Sequence, residues 1–174
     1  MPCVLTQGFT RDCNDGVGGI EEVYLINRDL MTSYTLDGTN TSLIATIVAG
    51  TWYRYELKRE VGNVASTTTV DPVLGTRFAD SIVAFSMNKF SATKTNELKI
   101  MVLANLAVIA KDNMGVYWGI GFQQYANGTS LIANTGTAFG DRNGYDISIT
   151  AKEPEPPFEI PSSVILGLTL DPAL

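Results

Sequence analysis

Gly140-Asp141-Arg142-Asn143-Gly144-Tyr145-Asp146-Ile147-Ser148-Ile149-Thr150-Ala151-Lys152 decides how this chain folds. The Asn143-Gly144 turn signal runs into strict alternation. Tyr145, Ile147, Ile149 and Ala151 fall on one side, and Asp146, Ser148, Thr150 and Lys152 on the other, which is the period of a half-buried strand. Glu153-Pro154-Glu155-Pro156-Pro157 follows and ends regular structure. A strong strand, a stiff connector and a fresh apolar segment therefore close the chain.

Working outward, the 174 residues suffice for one domain with a full core. Eighteen acidic against twelve basic residues give a net charge of −6, which argues against a dedicated nucleic-acid binder. Two cysteines, Cys3 and Cys13, and no histidine are too few for a disulfide framework or a zinc set, with one Cys3–Cys13 bridge as the alternative to reduced thiols. Met1-Pro2-Cys3 opens without a signal-peptide pattern, so the expectation is a soluble product made in the cytoplasm with reduced thiols. The apolar run from Ile100 to Ala110 is interrupted by Asn105 and is too short for a membrane span.

Residues 1–19, rich in Gly, Asp and Asn, read as an extended N-terminal segment. Strands are expected over Ile20–Asn27 and over a hairpin of Leu30–Leu36 and Leu43–Val48 around Asp37-Gly38-Thr39-Asn40. A long alternating strand is expected over Thr51–Arg59. Val64–Val70, threonine-rich and light in apolar weight, reads as an edge strand. Arg77–Asn88 is apolar on both faces and predicts a central, doubly covered strand. A single helix is predicted over about 93–104, capped by Ser91 or Thr93, with Leu98, Met101, Val102 and Asn105 on its inner face. Leu106–Lys111 and Val116–Phe122 form a second hairpin around Asp112-Asn113-Met114-Gly115, and residues 126–138 read as a loop around Leu131-Ile132. The sum is a mainly β chain: an antiparallel β-sandwich or barrel with one flanking helix, the domain occupying residues 20–152.

Catalytic chemistry finds little purchase. Without histidine there is no Ser-His-Asp or Cys-His arrangement, and no Gly-x-Ser-x-Gly elbow or P-loop occurs. Asp12-x-Asn14-x-Gly16 and Asp141-Arg142-Asn143-Gly144 lack the glycine and glutamate that calcium loops need. The Glu21/Glu22 and Glu153/Glu155 pairs sit where they read as structural, and no cofactor or metal is expected. Trp52-Tyr53-Arg54-Tyr55 with Lys58-Arg59 interleaves rings and cations as a single-strand platform does, but Glu56 and Glu60 dilute it. The sequons at Asn40 and Asn127 carry weight only in a secreted chain. Trp52, Tyr53, Trp118 and Phe122 are the residues that a small-ligand barrel would use.

The last stretch, residues 153–174, reads as a Pro-rich connector and an apolar arm. Val164, Leu166, Leu168 and Leu170 share one face in an extended reading, with Phe158 and Ile160 ahead of them. Residues 161–174 reach about 46 Å when extended, enough to cross a neighbouring subunit. Side-chain burial alone does not offset the ordering of such a segment, so it needs a sheet to join, a neighbour's or its own. Phe158, Ile160, Val164, Leu166, Leu168 and Leu170 are therefore candidate assembly residues, and a last strand folded back on its own domain is the alternative.

Cys3-Val4-Leu5-Thr6-Gln7-Gly8-Phe9-Thr10-Arg11-Asp12-Cys13 with Gly18-Gly19-Ile20-Glu21-Glu22-Val23-Tyr24-Leu25 resembles the start of small virion structural proteins of tailed bacteriophages. Phe139-Gly140-Asp141-Arg142-Asn143-Gly144-Tyr145 with Glu153-Pro154-Glu155-Pro156 is similar to their end. Within that group, size and element order resemble a tail tube subunit. The resemblance implies a sandwich with one flanking helix, a homo-oligomer of stacked hexameric rings in the virion tail, contact with other tail proteins, and passage of double-stranded DNA without tight binding. It implies neither an enzyme nor a membrane protein. A tail terminator, connector ring or capsid decoration protein is the nearest alternative.

Overall fold

The computed structural model describes residues 7–172, and in it β-strands dominate. They are β1 (Ile20–Asn27), β2 (Met31–Leu36), β3 (Ile44–Ala49), β4 (Trp52–Glu56), β5 (Gly62–Asp71), β6 (Thr76–Asn88), β7 (Asn105–Asp112), β8 (Tyr117–Ile120), β9 (Ala126–Asn134), β10 (Gly144–Glu153), β11 (Phe158–Ile160) and β12 (Leu170–Asp171). Two helices join them, α1 (Ala92–Leu103) and α2 (Ser162–Leu166). The large sheet runs β12-β4-β1-β7-β9-β10-β6-β5, and β2 and β3 form a separate hairpin. Among the described residues every pairing between these strands is antiparallel except β12 on β4, and Leu43 makes an isolated parallel bridge to Glu159 of β11.

The sheet forks at β7. Its first residues, Asn105 and Leu106, pair with β9, and Val108 to Lys111 pair with β8, onto which β11 adds. Two cores result, on opposite faces of β1 and β7. Val23 and Leu25, with Leu106, Val108 and Ala110, face the inner side of β6 and β10 and the helix residues Leu98 and Met101. Tyr24 and Ile26, with Ala107 and Ile109, face Trp52, Phe122, Phe158, Ile160 and Ile165. Val23–Ile26 and Leu106–Ala110 are thus buried without alternation, as strands covered on both sides must be.

Several expectations stand as drawn: β1, the β2–β3 and β7–β8 hairpins, the helix, and β10 with Tyr145, Ile147, Ile149 and Ala151 buried. Ser91 caps α1, its Oγ accepting from the Lys94 N–H. The Tyr145 hydroxyl meets Ser91 and Thr95, pinning the helix to β10.

Other expectations are corrected. β6 is not central. Ala79, Val83 and Phe85 are buried, but Phe78 and Ile82 on its other face are 38% and 39% exposed. The doubly covered strands are β1 and β7. Asn105 opens β7 instead of closing the helix face. The strand expected over Thr51–Arg59 stops at Glu56, because the chain turns through Glu60 at a φ of 60°. Residues 126–134 are a strand, not a loop. Its sparse apolar content fits because only one of its faces meets the core.

The C-terminal segment folds back on its own domain. Phe158 and Ile160 are 4% and 1% exposed, and their strand pairs with β8. Val164, Leu168 and Leu170 are half-buried against the second core, while Leu166 is 75% exposed. The prolines do not release an arm. Glu153, the last residue of β10, is buried, and its carboxylate accepts from the N–H groups of Gly121 (2.9 Å), Gln123 (2.8 Å) and Gln124 (3.3 Å). The Gln123 side chain in turn accepts from the Glu155 N–H. The connector is tied to the β8–β9 turn at each step.

Candidate assembly surface

The wing β9-β10-β6-β5 ends the large sheet on the side opposite the short strand β12. β5 and β6 pair over ten uninterrupted positions, Gly62–Asp71 against Thr76–Phe85. Among the described residues nothing pairs with the far side of β5. No lysine, arginine or proline interrupts it, so the usual devices that blunt an edge are missing. On the opposite flank β9 meets β7 only through Ala126 and Asn127. Among the described residues Gly128–Asn134 therefore also present a free edge. Helix α1 covers the inner face of β9 instead, and the backbone approach is close: a Cβ on Gly128 would stand 2.5 Å from Val102 Cα.

The outward face of the wing is mixed, with Phe78, Ile82 and Ile132 exposed on it among smaller and polar residues. Ala65 and Thr67 of β5, Asp80 and Ala84 of β6, Ser148 and Thr150 of β10 and Ser130 of β9 lie on it by register. Its carboxylates have cations near them. Arg142 hydrogen-bonds Asp146 and, with the Ser86 hydroxyl, holds that carboxyl below the usual range. Lys152 lies 3.8 Å from Asp80 and over the Phe78 ring. At the far end of the hairpin, Asp71 Oδ1 accepts from the N–H groups of Val73 and Leu74 at 2.9 and 3.0 Å.

A second charged group ties the centre of the sheet together. Glu22 of β1 accepts from the Tyr24 hydroxyl and stands 3.7 Å from both Arg54 of β4 and Lys111 of β7. Arg54 also pairs with Glu56 at 2.8 Å, and Lys111 with Glu21 at 3.1 Å. Burial, and then the Glu22 hydrogen bond, push the Tyr24 hydroxyl far above its ordinary pKa. Three strands are cross-braced by this group, a structural use of the Glu21/Glu22 pair.

The sequence-level candidates are dispersed. Phe158 and Ile160 are core residues, and Val164, Leu168 and Leu170 line the seam where α2 and β12 meet β3 and β4. Only Leu166 faces out. Trp52 and Phe122 stack in the second core with centroids 6.2 Å apart, whereas Tyr53 lies by α1 and Trp118 in a separate groove. The structure does not gather them around one cavity. Cys13 is a free, exposed thiol, and Cys3 lies outside the described residues. Among the described residues no cluster of three or more His, Cys, Asp or Glu side chains could hold a metal ion, and no helix is long and apolar enough to cross a membrane. The β9 edge is the feature that sequence reading missed; its one signal was Thr129-Ser130-Leu131-Ile132, a short run of strand-compatible residues. No family model matches the chain, and neither a curated protein nor a solved structure does.

Proposed function

We propose that this chain is a structural virion protein that assembles into stacked rings, the tail tube of a tailed bacteriophage. The observation that carries the reading is the wing with its two free edges. Successive strands β5, β6, β10 and β9 alternate in direction. An even number of alternating strands lets the β5 edge of one copy meet the β9 edge of the next and remain antiparallel. That contact is heterologous, and repeated around an axis it closes a barrel with no edge left over. Six copies, the number implied by the resemblance, give a 24-stranded barrel. At about 4.8 Å per strand its circumference is about 115 Å and its diameter about 37 Å, before strand tilt widens it. A bore of that size admits a duplex.

The outward face would line the bore with mostly uncharged side chains, Lys152 being paired with Asp80. Its side chains offer phosphate neither a basic track nor arginine forks, so DNA would pass without tight binding. Folded-back residues 158–171 do not weaken the reading, because the pairing edges lie on the opposite part of the molecule. Other tail proteins are the partners at the tube ends, and the assembled chain resides in the virion tail.

Light scattering after size-exclusion chromatography, followed by electron microscopy of the purified chain, tests this. Rings and tubes are expected. A monomer that stays dispersed at high concentration would sink the proposal, and rings that never stack would move it to a connector or terminator role. Replacing Ala65 and Thr67 with lysine should leave a folded monomer that forms no ring.

A further inference from the structure

The hairpin that supplies the β5 edge carries two more features, one at each end. At its tip Val73 and Leu74 are 90% and 74% exposed. They are held there: Asp71 fixes both N–H groups, and Gly75 takes a φ of 66° to complete the turn. Near the start of β5 lies an open, mainly apolar groove of about 600 Å³, lined by Val17, Ile20, Val64, Trp118, Pro156 and Pro157. Three of the polar side chains around it are engaged with other protein groups. Trp118 Nε1 donates to Asp112 Oδ2 at 3.0 Å, and the Ser66 and Ser81 hydroxyls bond each other at 2.9 Å. The groove asks for apolar side chains.

We propose that the groove receives the β5–β6 tip of a second copy stacked above it, with Val73 and Leu74 entering beside Trp118. This rests on the ring reading and names the contact that would join one ring to the next. Val64 and Asp71 are seven residues apart on the extended strand, about 23 Å, and the tip turn lies beyond Asp71, so no copy can fill its own groove. Knob and hole lie at opposite ends of one strand. A displacement along the strand direction brings the knob of one copy to the hole of another, and in a barrel that direction runs mainly along the ring axis. The preformed turn keeps the ordering cost of docking low. Two aliphatic side chains give only weak pairwise association, but a ring presents several tips together, and the contacts reinforce one another. Rings therefore form first and stack second.

The test uses the full chain with Cys3→Ser and Cys13→Ser. One preparation carries Leu74→Cys and another Val17→Cys, at exposed positions on the tip and the groove wall. The two are mixed, assembled and oxidised. The expected result is a disulfide-linked pair containing one chain of each kind, in tubes but not in isolated rings. In parallel, Leu74→Asp should keep the melting temperature and the rings while shortening tubes at least tenfold. Tubes of normal length from Leu74→Asp, or tubes without the mixed disulfide, would overturn the stacking contact and leave the ring reading intact. Mixed disulfides in open filaments without rings would support the contact and overturn the ring. A monomeric wild-type chain would remove both.

Discussion

Replacing Ile165 with alanine separates the two readings of the C-terminal segment, because the extended and the folded-back conformations select opposite residues. An arm that adds a strand to a neighbour uses Val164, Leu166, Leu168 and Leu170, and leaves Ile165 on the other face. In the structure Ile165 is 1% exposed, in the second core with Trp52, Phe122 and Ile44, and Leu166 is 75% exposed. Ile165→Ala removes three buried carbons from the second core. Such truncations cost about 2–5 kcal/mol. For a chain of this length each kcal/mol moves the melting temperature by about 2–4 °C, so a drop of about 4–20 °C is expected. Leu166→Ala, one residue on, should change stability by no more than about 0.5 kcal/mol. Paired calorimetric and urea melts of the two variants decide the matter at concentrations where the chain is unassembled. A neutral Ile165→Ala beside a Leu166→Ala that abolishes assembly would refute the folded-back account and restore the arm.

Further outcomes follow from the same geometry. Glu153→Gln, which trades one accepting oxygen for an amide that confronts N–H donors, should destabilise by about 1–3 kcal/mol in urea melts, and Glu153→Ala by more. Gly128→Val forces a side chain against the backbone of α1 at Val102 and should cost about 1–3 kcal/mol or prevent folding, whereas Thr129→Val next to it should be tolerated. Burial, aided by the Glu97 carboxylate, pushes the Tyr55 hydroxyl up to about 12. Its folded value lies above the unfolded value near 10, so its contribution is whole below about pH 10 and is lost as pH rises toward 12. Alkaline unfolding followed by tyrosinate absorbance should therefore begin in that window, and Tyr55→Phe should move it upward.

What could be read from the sequence depends on whether a residue's neighbours are local. β10 announced itself because its turn and its alternation lie within thirteen residues. The Ser91 cap and the Asp112-Asn113-Met114-Gly115 hairpin are likewise local. β6 misled because apolar content on both faces says that each face is tolerant of burial, not that a layer exists to cover it. Phe78 and Ile82 lie outside, one beneath the Lys152 ammonium. The mirror error occurred at β9, where Gly128 and Ser130 look like loop residues. Gly128 is there because α1 leaves no room for a Cβ, and the helix arrives from some 25 residues upstream. Glu153 is a third case: its partners at Gly121, Gln123 and Gln124 are about thirty residues away, and nothing beside it in the chain marks it as buried.

An edge is harder still to read, since it is defined by what fails to lie beside it. The composition of β5 carried part of the signal, threonine-rich with no lysine or proline to discourage pairing. That signal marks a strand able to accept a partner and does not identify the partner. Only the fold shows that β9 also lacks one beyond Asn127, and that three strand reversals separate the two edges. Had the wing held three strands or five, a β5 edge meeting a β9 edge would run parallel, and closure would break the alternation that the rest of the wing keeps. With four, the closing pair repeats the pattern already present inside each copy. The case for a ring thus rests on parity and on the two unguarded edges, and substitutions that charge either edge address it directly. Ala65→Lys with Thr67→Lys on β5 should stop closure. Ser130→Glu with Ile132→Glu on β9 of the same chain should restore it if the two edges meet, because each junction then brings opposite charges together. Rescue in the combined variant, with either pair alone remaining monomeric, is expected. Rings from the β5 lysine variant alone would show that closure uses some other surface.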